Sequence, residues 1–167
     1  LLMRFLGAVS LALAVLMIGF LSIQTELSRQ SLYRLSTAFW SEFRRLLADI
    51  HAPPGEILRR LSGFARYREL DFVSGTLQLL PERRFQEAYR LALEQSQVRS
   101  LELYPLLCQA GEIPGTVSLE HQLEQLDALL ARMREITAAH QQRIDSSLRL
   151  WHSLSVFGAL FVFIFLI

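Results

Sequence analysis

The chain has no lysine: its 17 basic residues are all arginine, set against 16 acidic residues and 4 histidines, for a net charge of +1. A balance so close to zero excludes a nucleic-acid binder driven by bulk charge, because counterion release needs surplus cations. A total lack of lysine reads as composition bias rather than as design for one contact. Cysteine is limited to Cys108, which excludes an internal disulfide framework and a Cys-rich zinc module. With 8 glycines and 5 prolines, the chain is neither collagen-like nor a low-complexity disordered sequence.

Catalytic patterns are equally sparse. Gly111 and Gly115 are not followed by the Gly-Lys-Ser/Thr of a phosphate loop, so any nucleotide is expected on a partner. His51 falls in a loop, and His121 has no second histidine four residues away, so the metalloprotease helix pattern is missing. His140 sits on an apolar stripe, and Cys108 reads as a small buried residue. A hydrolase would need acid, base and nucleophile at a shared spacing, and none is seen. The expectation is a protein without catalytic, metal or cofactor residues and without a small-molecule substrate.

What the chain does have is apolar residues, 51% of the total, gathered at its ends. Residues 5–23 and 150–167 carry no charge. As a helix, 5–23 reaches about 28 Å, close to a bilayer core. Each leucine, isoleucine, valine or phenylalanine at mid-membrane favours insertion by roughly 0.3–0.6 kcal/mol. Two transmembrane helices, 1–23 and 150–167, are therefore expected around a domain at 24–149. Leu1-Leu2 precede Met3, which reads as the natural start. No A-x-A site follows before Gln24, which favours an anchor over a cleaved leader. Arg29, Arg34, Arg132, Arg134, Arg143 and Arg149 flank the inner side against Arg4 on the other, which predicts a cytoplasmic domain.

Between the ends the pattern is helical. Leu119, Leu126, Met133, His140 and Ser147 form one seam of a heptad, and Leu123, Leu130, Thr137, Ile144 and Trp151 the other. This predicts a helix from Val117 into the second apolar segment, with Ser118 as its N-cap. An alternative reading is a membrane coiled coil that oligomerises or signals through 118–151. Leu32, Leu35, Phe39, Phe43, Leu46, Leu47 and Ile50 continue the first helix to His51-Ala52-Pro53-Pro54. Shorter helices are expected from Pro54 (Ile57, Leu58, Leu61 and Phe64 inward), from Asp71 to Leu80, and from Pro81 (Phe85, Ala88, Tyr89 and Ala92 inward). A last one covers Val98–Ala110 and contains Pro105. The fold class is all-α, a bundle of about five to six helices.

Arginine pairs recur at Arg44-Arg45, Arg59-Arg60 and Arg83-Arg84. They read as solvated helix faces beside Glu42, Glu56 and Glu87, or as a docking surface for an acidic partner or anionic headgroups.

The turn from Leu106 to Ser118 is the sharpest local feature. Gly111 is expected in a left-handed C-cap and Gly115 at a second tight backbone position. With Ser118 and Gln122 the spacing is Gly-x-x-x-Gly-x-x-Ser-x-x-x-Gln. It resembles the stage III sporulation protein AB family, in which the stretch reads Phe-Gly-x-x-Leu-Gly-x-x-Asp-x-x-x-Gln. Ala110, Pro114 and Ser118 stand where that family has Phe, Leu and Asp. The opening Met3 to Ala8, the arginine-rich helix after it, Asp49-Ile50 with Pro53-Pro54, and the terminal membrane segment are also similar. The resemblance implies a soluble domain like the cytoplasmic domain of the type II secretion platform protein F. It also implies a place in the assembly joining mother cell and forespore. Partners implied are a stage III sporulation protein AA-like ATPase, other membrane subunits and the bilayer, with no nucleic acid.

Overall fold

The computed structural model describes residues 25–147 with their side chains, and 2–24 and 148–166 as helical backbone only. Six α-helices follow in chain order: α1 (Leu2–Ile50), α2 (Pro54–Ser62), α3 (Asp71–Leu79), α4 (Phe85–Glu94), α5 (Tyr104–Glu112) and α6 (Leu119–Leu166). Short 3-10 helices at Ala65–Tyr67 and Gln97–Ser100 complete the chain, and no strand occurs among the described residues. The protein is all-α. Among the described residues no helix is long and apolar enough to cross a membrane. The apolar segments 5–23 and 150–167 lie outside the residues described with side chains.

Two units make up the chain, one of 31–139 and one of 1–30 with 140–167.

Each helix boundary has a local cause. Proline disfavours helical geometry in the residue before it, and α1 ends at Ile50 ahead of Pro53-Pro54. His51 closes it in the left-handed region (φ 55°), its N–H donating to the Leu47 carbonyl at 3.3 Å. Pro54 opens α2, where its missing N–H costs no helical bond. Asp71 serves two starts at once. Its Oδ1 accepts from the Phe72 N–H at 2.9 Å, and its Oδ2 from the Gln97 N–H at 3.0 Å. Pro105 lies in the first turn of α5, so the helix expected over Val98–Ala110 is divided. A 3-10 turn covers Gln97–Ser100, and the α-helix begins at Tyr104. The chain before α4 is similar: Pro81 sits in the preceding turn, and the helix starts at Phe85.

An aromatic cluster fills the 31–139 unit. Phe39, Trp40, Phe43, Tyr67, Phe72 and Tyr89 are all at most 1% exposed. Phe39 meets Trp40, Tyr67 and Phe72 edge-on, at centroid distances of 5.5–5.7 Å, the geometry the ring quadrupoles favour. Trp40 Nε1 donates to the Tyr89 hydroxyl at 3.1 Å. Leu126, Leu130 and Met133 of α6 are buried in the same core, so this stretch of the heptad seam faces its own chain. Above it Thr37 and Thr137 share a hydrogen bond at 3.1 Å. α3 packs chiefly on α4. A Cβ on Gly75 would stand 3.1 Å from the Ala92 Cβ, so small residues set that approach. Phe64, expected inward, is 46% exposed. It lies beyond the end of α2, off that helix's apolar face.

Candidate functional site: the turn between α5 and α6

Gly111 and Gly115 differ in role. Gly115 has φ +82° and is the sole positive-φ glycine among the described residues, as a tight backbone position requires. Gly111 instead belongs to α5 and is buried. The left-handed C-cap expected there is not formed, because the helix runs one residue further, to Glu112. What demands glycine is the Tyr89 ring of α4, which would lie 2.1 Å from an added Cβ. The signal in the sequence was real, and its cause is close packing rather than backbone handedness.

Two glutamines hold the turn. Gln122, in the first turn of α6 and only 7% exposed, reaches back with both ends of its amide. Its Oε1 accepts from the Gly115 N–H at 3.1 Å, and its Nε2 donates to the Val117 carbonyl. Gln86 of α4 donates from Nε2 to the Pro114 carbonyl at 2.6 Å. The Thr116 hydroxyl donates to the Ile113 carbonyl at 2.8 Å. Ser118 occupies the N-cap position, its carbonyl accepting from the Gln122 N–H at 3.0 Å. Gly115, Ser118 and Gln122 thus form one hydrogen-bonded unit, and Gly111 locks the preceding helix beneath it. Gln86 carried no signal in the sequence, since it meets the turn only through the fold. Ala110 is buried at 1%. Pro114 contributes the carbonyl that Gln86 binds, which any residue could supply. A groove of about 430 Å³ runs beside the turn, lined among others by Glu112, Ile113, Gln125, Leu129 and Arg132.

The arginine pairs separate into different environments. Arg44 bridges α1 to α6 through Asp127 at 2.7 Å. Arg45 binds Glu42 at 2.6 Å and Asp49 at 3.1 Å, which keeps the Glu42 carboxyl below its usual range. Arg60 pairs with Glu56 at 3.1 Å, and Arg83 with Glu87. Arg59 and Arg84 are exposed and, among the described residues, give only backbone contacts. The Arg59 carbonyl accepts from the Ser62 hydroxyl, and the Arg84 carbonyl from the Ala88 N–H. Exposed pairs of this kind contribute about 0–1 kcal/mol each.

Cys108 and His121 flank this turn, but the chemistry-bearing residues do not converge on it. Burial pushes the half-buried Cys108 thiol above its ordinary range, which lowers its reactivity. His51 is exposed. His121 lies 3.5 Å from Glu124 on the outer face of α6, and His140 lies 3.7 Å from Glu26. Among the described residues no group of three or more His, Cys, Asp or Glu is placed to hold a metal ion.

The geometry therefore describes a rigid corner with a groove beside it. Among known proteins, no curated protein and no solved structure matches the chain. A family model does match, that of stage III sporulation protein AB, and it spans residues 4–167. That span takes in the turn, every helix but the first residues of α1, and both apolar segments, so the chain belongs to the stage III sporulation protein AB family.

Proposed function

We propose that the chain is a non-enzymatic, membrane-anchored adaptor of a sporulation-specific, secretion-like channel complex between mother cell and forespore. The observation that carries this reading is the family match across residues 4–167. The chain's own architecture supports it. α1 and α6 each carry one apolar segment of the sequence, and the 31–139 unit is the part left to meet partners. In this reading residues 1–23 and 150–167 span the membrane. The domain stands in the mother-cell cytoplasm, as the arginine flanks indicate. It resembles the cytoplasmic domain of type II secretion protein F in acting as a platform. It couples a stage III sporulation protein AA-like ATPase to membrane subunits of the channel, and the turn from Gly111 to Gln122 fixes the angle between α5 and α6.

Co-expression tests the reading directly. The full chain and the ATPase are produced together, extracted in mild detergent and purified through a tag on the chain. Co-purification in fixed ratio is expected. In parallel, protease added outside intact cells is expected to leave the domain uncut. Digestion of the domain from outside, or recovery of the chain without the ATPase, removes the coupling role.

A further inference from the structure

Residues 59–68 hold four arginines, Arg59, Arg60, Arg66 and Arg68, within ten positions. Glu56 occupies Arg60, whereas the other three are exposed and form no ion pair among the described residues. Phe64 stands in the middle of the segment, 46% exposed. Its ring is not left loose. The Arg66 guanidinium lies 5.4 Å from the Phe64 ring centroid and 4.6 Å from that of Tyr67. The two rings meet at 89°. Tyr67 is buried and anchored, its hydroxyl donating to the Ala38 carbonyl at 3.3 Å.

Arg66 is thus stacked on a fixed ring and flanked by an exposed one. The guanidinium also interacts with the Tyr67 hydroxyl and feels the Glu42 charge, and with five N–H donors it keeps others for a carboxylate. Among the described residues no carboxylate forms an ion pair with Arg66. Glu42 is already gripped by Arg45 at 2.6 Å and 3.2 Å, and the Glu69 carboxylate accepts from the Ser31 hydroxyl at 3.2 Å. An exposed aromatic beside a preordered arginine is also the composition that dominates protein interfaces.

We propose that the Phe64–Arg66 corner docks a segment of a partner protein in which a carboxylate side chain adjoins an apolar one. The carboxylate takes remaining N–H donors of Arg66, the apolar side chain covers Phe64, and Arg59 and Arg68 add a cationic rim. A protein segment fits better than an anionic membrane surface. The patch is net cationic and would draw either anion, but the exposed Phe64 ring asks for an apolar group beside the negative charge, as protein interfaces supply, and an adduct to lipid in the test below marks the membrane instead. The proposal deepens the adaptor reading and rests on it only in requiring a protein partner.

The test places p-benzoylphenylalanine at position 64 of the full chain in sporulating cells, followed by irradiation and mapping of the adduct. The expected result is one protein adduct on a stretch with Asp or Glu next to an apolar residue. Arg66→Glu, in the same background, is expected to cut its yield about tenfold, corresponding to about 1.4 kcal/mol. Reversing the partner's acidic residue to Arg is expected to recover it. Unchanged melting of the detergent-purified Arg66→Glu chain separates loss of docking from loss of fold. If that chain melts lower, Phe64→Ala, at an exposed position, replaces it with loss of co-purification as the readout. No adduct, an adduct to lipid alone or to a second copy of the chain, or a yield indifferent to Arg66→Glu overturns the proposal. An adduct on a protein other than the ATPase upholds the corner while removing the partner assigned above. Co-purification of the ATPase without an adduct does the reverse.

Discussion

Tyr89 and Gly111 touch so closely that a Cβ on Gly111 would lie 2.1 Å from Cδ1 and 2.4 Å from Cε1 of the ring. The ring has nowhere to go. It stacks on Phe85 at 5.9 Å, meets Trp40 and Phe72 edge-on, and holds the Trp40 Nε1 proton through its hydroxyl. Gly111→Ala would ordinarily gain up to about 1 kcal/mol of helix propensity. Here overpacking, which costs about 1–3 kcal/mol, outweighs it. Denaturant unfolding of the purified chain is expected to show a net loss of about 1–2 kcal/mol, and a larger one for Gly111→Val. With Tyr89→Leu in the background the Gly111→Ala penalty should shrink, since the obstructing ring is gone. An additive double mutant would mean that the two residues do not meet.

Gln122 is tested by separating the two ends of its amide. Gln122→Ala removes the acceptor for the Gly115 N–H and the donor to the Val117 carbonyl. Buried groups left without partners cost about 1–3 kcal/mol. Gln122→Glu keeps the acceptor, loses the donor and sets a carboxylate against the Val117 carbonyl. Amide hydrogen exchange at Gly115 distinguishes them: fast in Gln122→Ala, slow in the parent chain, and near the parent rate in Gln122→Glu. Slow exchange in all three would show that the turn holds itself without the side chain.

The family spacing was legible before the fold because two of its four positions answer to local backbone needs. Gly115 carries the positive φ, and Gln122 reaches back over one helical turn, whereas Ser118 stands at the N-cap position but bonds there through its carbonyl, which any residue supplies. Such needs lie within a few residues and leave marks in sequence. Gly111 was found for the wrong reason, because its constraint comes from Tyr89, twenty-two positions away and on another helix. The all-α class followed from a 3.6-residue apolar period that no stretch of alternation contradicted. Phe64 was expected inward and is exposed, since an apolar residue just past a helix end has no periodicity to follow. Trp40 and Tyr67 joined the core through long-range ring contacts, with Tyr89 and Phe39 respectively, that hydrophobic spacing does not encode. Which arginines of the three pairs are engaged was likewise a matter of tertiary contact, as Arg44 with Asp127 shows.

Tyr89 also sets an alkaline limit. Full burial raises its phenol far above the ordinary value, and the Trp40 hydrogen bond lowers it only in part. The folded state therefore holds this proton more tightly than the unfolded state, where the pKa is near 10. The Tyr89 contribution is complete below about pH 10 and is lost as pH rises beyond it. Tyr67, Tyr104 and Cys108 are raised as well, so the decline has several contributors. Tyr89→Phe removes one of them and should flatten the slope above pH 10 by about one proton, even though it costs about 1–3 kcal/mol at neutral pH by leaving the Trp40 N–H unpaired. An unchanged alkaline slope in Tyr89→Phe would show that this phenol ionises without unfolding the chain.

The two left-handed positions among the described residues invite opposite substitutions. Gly115 at φ +82° has the residue its backbone asks for, whereas His51 at φ 55° carries a side chain there. For residues other than glycine the left-handed region costs roughly 1–2 kcal/mol, relieved in part for Asn and His. Gly115→Ala is therefore expected to destabilise the chain by about 1 kcal/mol, and Gly115→Asn by less. At the end of α1 the exchange runs the other way. His51→Gly releases backbone strain, against the larger chain entropy that glycine must give up on folding. A net gain of up to about 1 kcal/mol in denaturant unfolding is expected, and His51→Val, β-branched and ill suited to that region, should lose more than the gain. If His51→Gly were neutral and His51→Val equally so, the left-handed closure of α1 would carry no strain, and Pro53-Pro54 alone would be ending the helix.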